Sequence, residues 1–442
     1  MCKSVKTVAV FLVVLVIMWQ SSACSGKYSG ELQTSNGLLH DYNYNVAAYY
    51  ELEDFSQAQT PIEHSSISTR AMSRSVNGFS RELFQHVLAA GDQNPVISSL
   101  SVYYVLSMIS FGAQNNTLYE LEQILGHDFY QIALALYTLT NNLANTRGST
   151  SLNLAGSVWV ADDFAINPNF VNAVDRYFGS SVYSRTLYDE ATITEINDWV
   201  YYQTEGLIEE FLDSVDSDAV ILLLNTLYLN TSWRSNFNPM TESKDMFRTY
   251  DGTQVESAFL STGDFLGMNI AVTDYYEAVF LPYDDWRLGF FMVRPTDGTC
   301  VRDFYLHNNL LDIFDSLEFY STTKVKMPAL DKEFDIDLAD LLEEIGLVGI
   351  FDGNLADLSA LAKFAMEDNL FLSQLRQTAR IIVNKYGTEA AAVTVAEVVP
   401  QSMPLPPADP ITLIFNTPFI YFIYDRELNI ILFAGVVDDP SL

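Results

Sequence analysis

The stretch that decides the fold lies near the C-terminus: Asn384-Lys385-Tyr386-Gly387-Thr388-Glu389-Ala390-Ala391-Ala392-Val393-Thr394-Val395-Ala396-Glu397-Val398-Val399-Pro400-Gln401-Ser402-Met403-Pro404. Read with period two, one face carries Thr388, Ala390, Ala392, Thr394, Ala396 and Val398, all small or β-branched; the other carries Glu389, Ala391, Val393, Val395, Glu397 and Val399. No proline interrupts the twelve residues from Thr388 to Val399, so each keeps the N–H that a central strand needs. At ~3.3 Å per residue they would make a strand of about 40 Å. Prolines then cluster at 400, 404, 406, 407 and 410, which favours an extended, exposed continuation. Composition by itself favours a second reading, an alanine-rich surface helix followed by a proline linker, and the pattern alone does not decide between them.

Outward from this stretch, 442 residues at 49% hydrophobic content can bury one large core or a few smaller ones. Fifty-six acidic against 23 basic residues give a net charge of -33, which repels nucleic-acid phosphates. No basic cluster on the early helices invites heparin either. The same acidity also has the plain function of keeping a protein soluble.

At the other end, Lys3 and Lys6 precede an apolar run from Val8 to Trp19 and the small residues Ser21, Ser22 and Ala23. This is the pattern of a secretion signal over residues 1–23, with an apolar run too short to span a bilayer comfortably. Cys24 follows directly, as in a lipoprotein cleavage box, although Ser21 stands where an aliphatic residue is usual. Lipid anchoring at Cys24 and free secretion both stay open. Residues 24–74 read as a polar, acidic spacer, and the compact domain as residues 75–442. Only Cys2, Cys24 and Cys300 occur, so no disulfide framework is expected and Cys300 reads as a partly buried free thiol.

Within the domain, Phe79, Leu83, Phe84, Val87 and Leu88 fall on one helical stripe. Ser98 and Ser99 offer caps to a helix apolar on nearly every face from Leu100 to Phe111, hence central and buried. Thr117 and Glu120 suggest a capping box, with Gly126 as the stop, and residues 196–212 a helix ended or interrupted near Gly206. Strands are expected over 152–160, 220–229, 278–282, 288–293, 324–327, 380–383, 418–424 and 430–436. Helices and strands without βα alternation place the domain in the α+β class. Asn225, inside an apolar run, needs a polar partner, since a buried unpaired amide costs about 1–3 kcal/mol.

Five histidines without metal-ligand spacing, no cysteine pair, no G-x-S-x-G elbow and no P-loop leave hydrolase, zinc and nucleotide chemistry without a motif. The chain does not read as an enzyme, and no cofactor or metal is implied.

The opening stretch resembles the hinge of the serpins, V-N-E-E-G-T-E-A-A-A, at Asn384 to Ala392. Further segments carry the likeness from Ser75 to Pro440. Asn94 to Ser101 is similar to N-x-x-x-S-P-L-S, Gly112 to Thr117 to G-A-x-G-N-T, and Ile196-Asn197-Asp198-Trp199-Val200 with Thr204-Glu205-Gly206 to I-N-x-W-V…T-x-G. Leu224 to Tyr228 with Trp233 and Phe237 is similar to V-N-A-I-Y-F…W…F, and Pro418 to Ile423 with Leu432 to Gly435 to H-P-F-L-F-x-I…L-F-x-G.

The resemblance implies three β-sheets, eight or nine helices and an exposed reactive-centre loop that becomes an extra strand once a peptidase cuts it. It implies a monomeric suicide substrate of an extracellular serine peptidase, with a cysteine peptidase or a non-inhibitory chaperone, carrier or storage role as alternatives. Gly387, Thr388, Glu389, Ala390, Ala391 and Ala392 would be the hinge, and the reactive bond would fall at Gln401–Ser402. Val398, Val399, Pro400, Met403 and Pro404 would meet the peptidase, and Ser98, Ser101, Asn225, Gln377 and Trp233 would control sheet opening. No lysine or arginine lies between Thr388 and Pro410, which points away from trypsin-like targets and towards elastase-like or subtilisin-like ones. Four positions depart from the family pattern. Lys385 and Tyr386 replace an acidic pair, Ser99 a proline, and Gln377 a histidine; Gln377 is expected to hydrogen-bond Asn225 instead.

Overall fold

Ser98 caps the helix around which the domain is built, its hydroxyl accepting from the Ser101 amide at 3.3 Å. Every residue of that helix, Ser99–Ile109, is buried, as its all-round apolar sequence requires. The computed structural model describes residues 67–215, 219–234, 237, 239–263, 266–363, 370–372, 375–389 and 411–442. The leader, Cys24, the spacer up to residue 66, Ala390, Ala391, Ala392, Val398, Val399, Pro400, Gln401, Ser402, Met403 and Pro404 lie outside the described residues.

Nine α-helices occur among the described residues: α1 (Thr69–Ala90), α2 (Ser99–Ile109), α3 (Asn115–Leu125), α4 (Phe129–Ala144), α5 (Pro168–Phe178), α6 (Glu190–Gln203), α7 (Val301–His307), α8 (Leu310–Asp315) and α9 (Ala339–Glu344). Helix α1 starts ahead of Ser75 because Ser68 caps it through the Ala71 amide. Helix α3 starts two residues before Thr117, and the expected capping box does not form. The Thr117 hydroxyl instead accepts from the Asp357 amide at 2.9 Å, and Glu120 from the Val348 and Gly349 amides at 3.2 and 2.7 Å. Both side chains tie the helix to a distant loop. Helix α6 ends before Gly206, which takes a positive φ of 85°.

The described strands form sheets of ten, six and two strands. In the largest, Phe419–Asp425 lies third from one edge, between Ile430–Val437 and Leu288–Pro295, and both C-terminal strands are buried along their whole length. Thr241–Arg248 forms the opposite edge, with charged, exposed residues that suit an edge strand. The six-stranded sheet carries the described part of the candidate site. Its strands are β1 (Ser151–Ala161), β2 (Ser181–Arg185), β3 (Ile221–Ser232), β4 (Leu330–Asp337), β5 (Arg376–Asn384) and β6 (Gly387–Thr388), in the order β4-β5-β6-β3-β1-β2. Strand β3 pairs antiparallel with β1 over Ser151↔Asn230 to Val160↔Ile221, and β5 antiparallel with β4. The two-residue β6 sits between β3 and β5 and runs antiparallel to both, so β3 and β5 point the same way. Cys300 is exposed rather than partly buried, because it caps the start of α7 at the surface.

Candidate functional site

Strand β5 ends at Asn384, whose side-chain oxygen accepts from the Tyr386 amide at 2.8 Å and reverses the chain. The turn is fixed by its backbone: Trp233 donates its amide to the Tyr386 carbonyl at 2.8 Å and Met240 its amide to the Lys385 carbonyl at 2.9 Å. Lys385 and Tyr386 therefore hold the turn without the acidic side chains of the family pattern. Gly387 enters β6 against β3 so closely that a Cβ there would lie 2.0 Å from the Thr231 carbonyl oxygen. Only glycine fits this approach.

Thr388, 3% exposed, pairs with Thr231 on one side and Val383 on the other. Its hydroxyl meets that of Tyr283, a fully buried tyrosine stacked on Trp233 with ring centroids 4.8 Å apart. The Trp233 indole donates to the Asn384 carbonyl at 2.8 Å. Thr388, Tyr283, Trp233 and Asn384 thus form one connected clasp at the mouth of the sheet. Trp233 belongs to this clasp rather than to the polar cluster further down.

That cluster lies between β3 and β5. Ser98, Ser101, Asn225 and Gln377 line one cavity of about 20 Å³, together with Thr226 and Arg380. Gln377 does not bond Asn225. Its amide clasps the cap of α2, Oε1 accepting from the Ser98 amide at 3.0 Å and Nε2 donating to the Ser98 carbonyl at 2.9 Å. Asn225 donates to the Ala155 carbonyl at 2.9 Å across to β1, and its Oδ1 is buried without a partner. The Ser99 hydroxyl, where the family pattern has proline, is likewise buried and unpaired.

Beyond Thr388 the chain leaves the sheet at Glu389, which has a φ of 53° and donates its amide to the Ile382 carbonyl at 2.6 Å. Its carboxyl lies near Tyr228, Glu205 and Arg380. Tyr283, Glu205, Tyr228 and Arg380 are functional candidates that the sequence does not single out. They belong to four separate segments and carry no shared spacing. Glu205 and Tyr228 fell inside recognised motifs, Thr204-Glu205-Gly206 and Leu224 to Tyr228, but without a role of their own.

The family model for serpins, serine protease inhibitors, matches residues 74–440. Alpha-2-antiplasmin of Mus musculus is 27% identical over 384 residues, covering 84% of this chain and 73% of that protein. Neuroserpin of Gallus gallus is 27% identical over 369 residues, covering 80% and 88%. Among solved structures, the native state of the thermophilic serpin Tengpin superposes with a TM-score of 0.75 at 24% identity, covering 84% of this chain and 95% of that one. Human thyroxine-binding globulin complexed with its hormone gives 0.75 at 21%, covering 85% and 100%.

Proposed function

The chain belongs to the serpin family, and from that premise we propose that it is a single-use inhibitor of a serine-type peptidase, working outside the cell and consumed by its own cleavage. The observation that carries the reading is the seated hinge. Gly387 and Thr388 already form a strand between β3 and β5, and the proline-free residues that follow can extend it. Continued in the same register, Thr388 to Val399 would run the length of β3, ending level with Val220 just before Ile221. Thr394 would come level with both Asn225 and Gln377 and on their face, where its hydroxyl could donate to the orphan Asn225 Oδ1. The residues facing the body of the domain would be Ala390, Ala392, Thr394, Ala396 and Val398, small enough to enter a packed sheet without overfilling it.

In this reading the peptidase serine attacks the Gln401 carbonyl and the Gln401–Ser402 bond breaks. Ser402 leaves with the new amine, and Gln401 remains esterified to the enzyme. The freed segment then inserts, gaining strand hydrogen bonds on two edges at about 0.5–1.5 kcal/mol each. The attached peptidase is carried along and its active site is distorted before water can hydrolyse the ester. Val398, Val399, Pro400 and Gln401 suit an elastase-like or subtilisin-like specificity pocket. Export through residues 1–23 would bring the inhibitor to such enzymes, and lipid labelling of the wild type against Cys24→Ser distinguishes a tethered from a free form.

The test is incubation with a peptidase panel followed by denaturing electrophoresis and mass spectrometry. A denaturant-resistant complex, with a released fragment beginning at Ser402, is the expected result. Cleavage by every enzyme without any complex would overturn the proposal and move the chain among the non-inhibitory serpins.

A further inference from the structure

Glu389 follows Thr388 directly and sets a carboxylate at the point where the chain leaves the sheet. The residue turns the chain outwards in the left-handed region, a conformation unfavourable for any residue but glycine. Its carboxyl is half-buried, with Oε2 lacking any partner. Each packed element contributes a group that faces it. From β3 comes the Tyr228 hydroxyl, which also receives the Asn230 amide at 3.2 Å. From the turn after α6 comes Glu205, again at positive φ (50°), whose carboxylate accepts from the same Tyr228 hydroxyl at 3.2 Å. From β5 comes Arg380, already engaged by Asp331 of β4 at 3.2 Å, by the Leu207 carbonyl at 3.0 Å and at 3.8 Å from Glu333, with Glu209 adding to its acidic surroundings. Two carboxyls therefore meet over one phenol, and Arg380, the one cation facing them among the described residues, is largely neutralised by other acids.

We propose that Glu389 and Glu205 are positioning residues for loop insertion: Glu389 keeps the hinge seated while its carboxyl holds a proton and, once ionised beside Glu205, expels it. The idea rests on the inhibitory reading for its consequence, the timing of insertion, and not for its mechanism. Burial above all, with the Glu205 charge adding and the Tyr228 hydroxyl and Arg380 opposing, pushes the Glu389 carboxyl up to about 7. The sign follows. The seated state prefers the neutral carboxyl, so seating is strongest below the ordinary carboxylate range and weakens as pH rises through about 7. The shift from 4.5 allows at most a ~300-fold change in the seating equilibrium, and a few tens-fold once water around the exposed part of the carboxyl is allowed for.

The experiment is amide hydrogen exchange of Gly387 to Glu389 in the full chain between pH 5.5 and 8.5, corrected for the intrinsic pH dependence of exchange. Protection should fall at least tenfold across neutrality in the wild type and stay level in Glu389→Gln. Glu205→Gln, which removes the second charge and leaves the hinge sequence intact, should move the midpoint to lower pH. A wild-type slope in Glu389→Gln, an unmoved midpoint in Glu205→Gln, or a hinge already unprotected at pH 5.5 would each overturn the proposal. The peptidase panel separates the two readings. Titrating protection without any covalent complex removes the inhibitor and keeps the carboxyl pair, whereas complex formation with level protection does the reverse.

Discussion

Replacing Gly387 by alanine places a methyl group 2.0 Å from the Thr231 carbonyl oxygen and 2.7 Å from the Ser232 Cα, both backbone atoms of the central strand β3. The conformation of Gly387, with φ at 159°, is one that residues with a Cβ rarely adopt, so alanine meets backbone strain as well as a lack of space. Two responses are available. Strand β3 can shift, at the 1–3 kcal/mol typical of overpacking and with its ten-pair ladder to β1 under strain, or β6 can leave the sheet. Leaving forfeits the Thr388–Tyr283 hydroxyl bond, the Glu389–Ile382 amide bond and the short ladder, at about 0.5–1.5 kcal/mol per hydrogen bond. The native fold should therefore lose about 2–5 kcal/mol, read as a shifted urea midpoint at unchanged slope. The functional loss should be larger, because insertion must begin at the same entry point. Titration against a cognate peptidase should show the number of inhibitor molecules consumed per enzyme rising several-fold, with cleaved chain accumulating. Gly78→Ala serves as the control. It lies in α1 with no atom within 4 Å of the added Cβ, and should be stabilising by about 0.5–1 kcal/mol without changing inhibition. Unaltered stability and consumption in Gly387→Ala would refute the seated hinge as the entry point.

Three further outcomes are expected. Thr394→Val should leave the intact protein unchanged in thermal melts and destabilise the cleaved form by about 1 kcal/mol, because only the inserted strand would bring its hydroxyl to Asn225; an equal effect on both forms would reject the register. Gln377→Ala should cost about 1–3 kcal/mol in chemical denaturation, since the buried Ser98 amide loses the acceptor it now has at 3.0 Å. Gln401→Arg should confer complex formation with trypsin-like enzymes that the parent resists, and cleavage at another bond in the variant would relocate the reactive site.

How much of this was legible in the sequence depends on where the stabilising partners sit. The run from Ile221 to Leu229 announces a covered central strand because nearly every side chain is apolar, and the helix after Ser98 reads correctly for the same reason. The edge strand Thr241–Arg248 left no such signal: its residues are charged because it faces water. Thr117 and Glu120 have the right spacing for a local cap but find better partners more than two hundred residues later. Gln377 is the most instructive departure. Its type allowed a bond to Asn225, yet the α2 cap offers a donor and an acceptor together, and a primary amide satisfies both at once. The convergence of Glu205 and Glu389 on Tyr228 depends on three-dimensional placement alone, and no pattern along the chain could have revealed it.

The two C-terminal strands give cleavage an unusual physical meaning. The chain after the proposed reactive bond includes Phe419–Asp425, flanked on both edges inside the ten-stranded sheet, and Ile430–Val437, with Lys332 of β4 reaching the carbonyls of Pro440 and Leu442. A cut near residue 401 would thus divide the polypeptide without dividing the particle. The used protein would migrate as one body in its native state and fall into two pieces only when unfolded, so a spent molecule and a fresh one would be told apart by their resistance to heat rather than by their mass in solution.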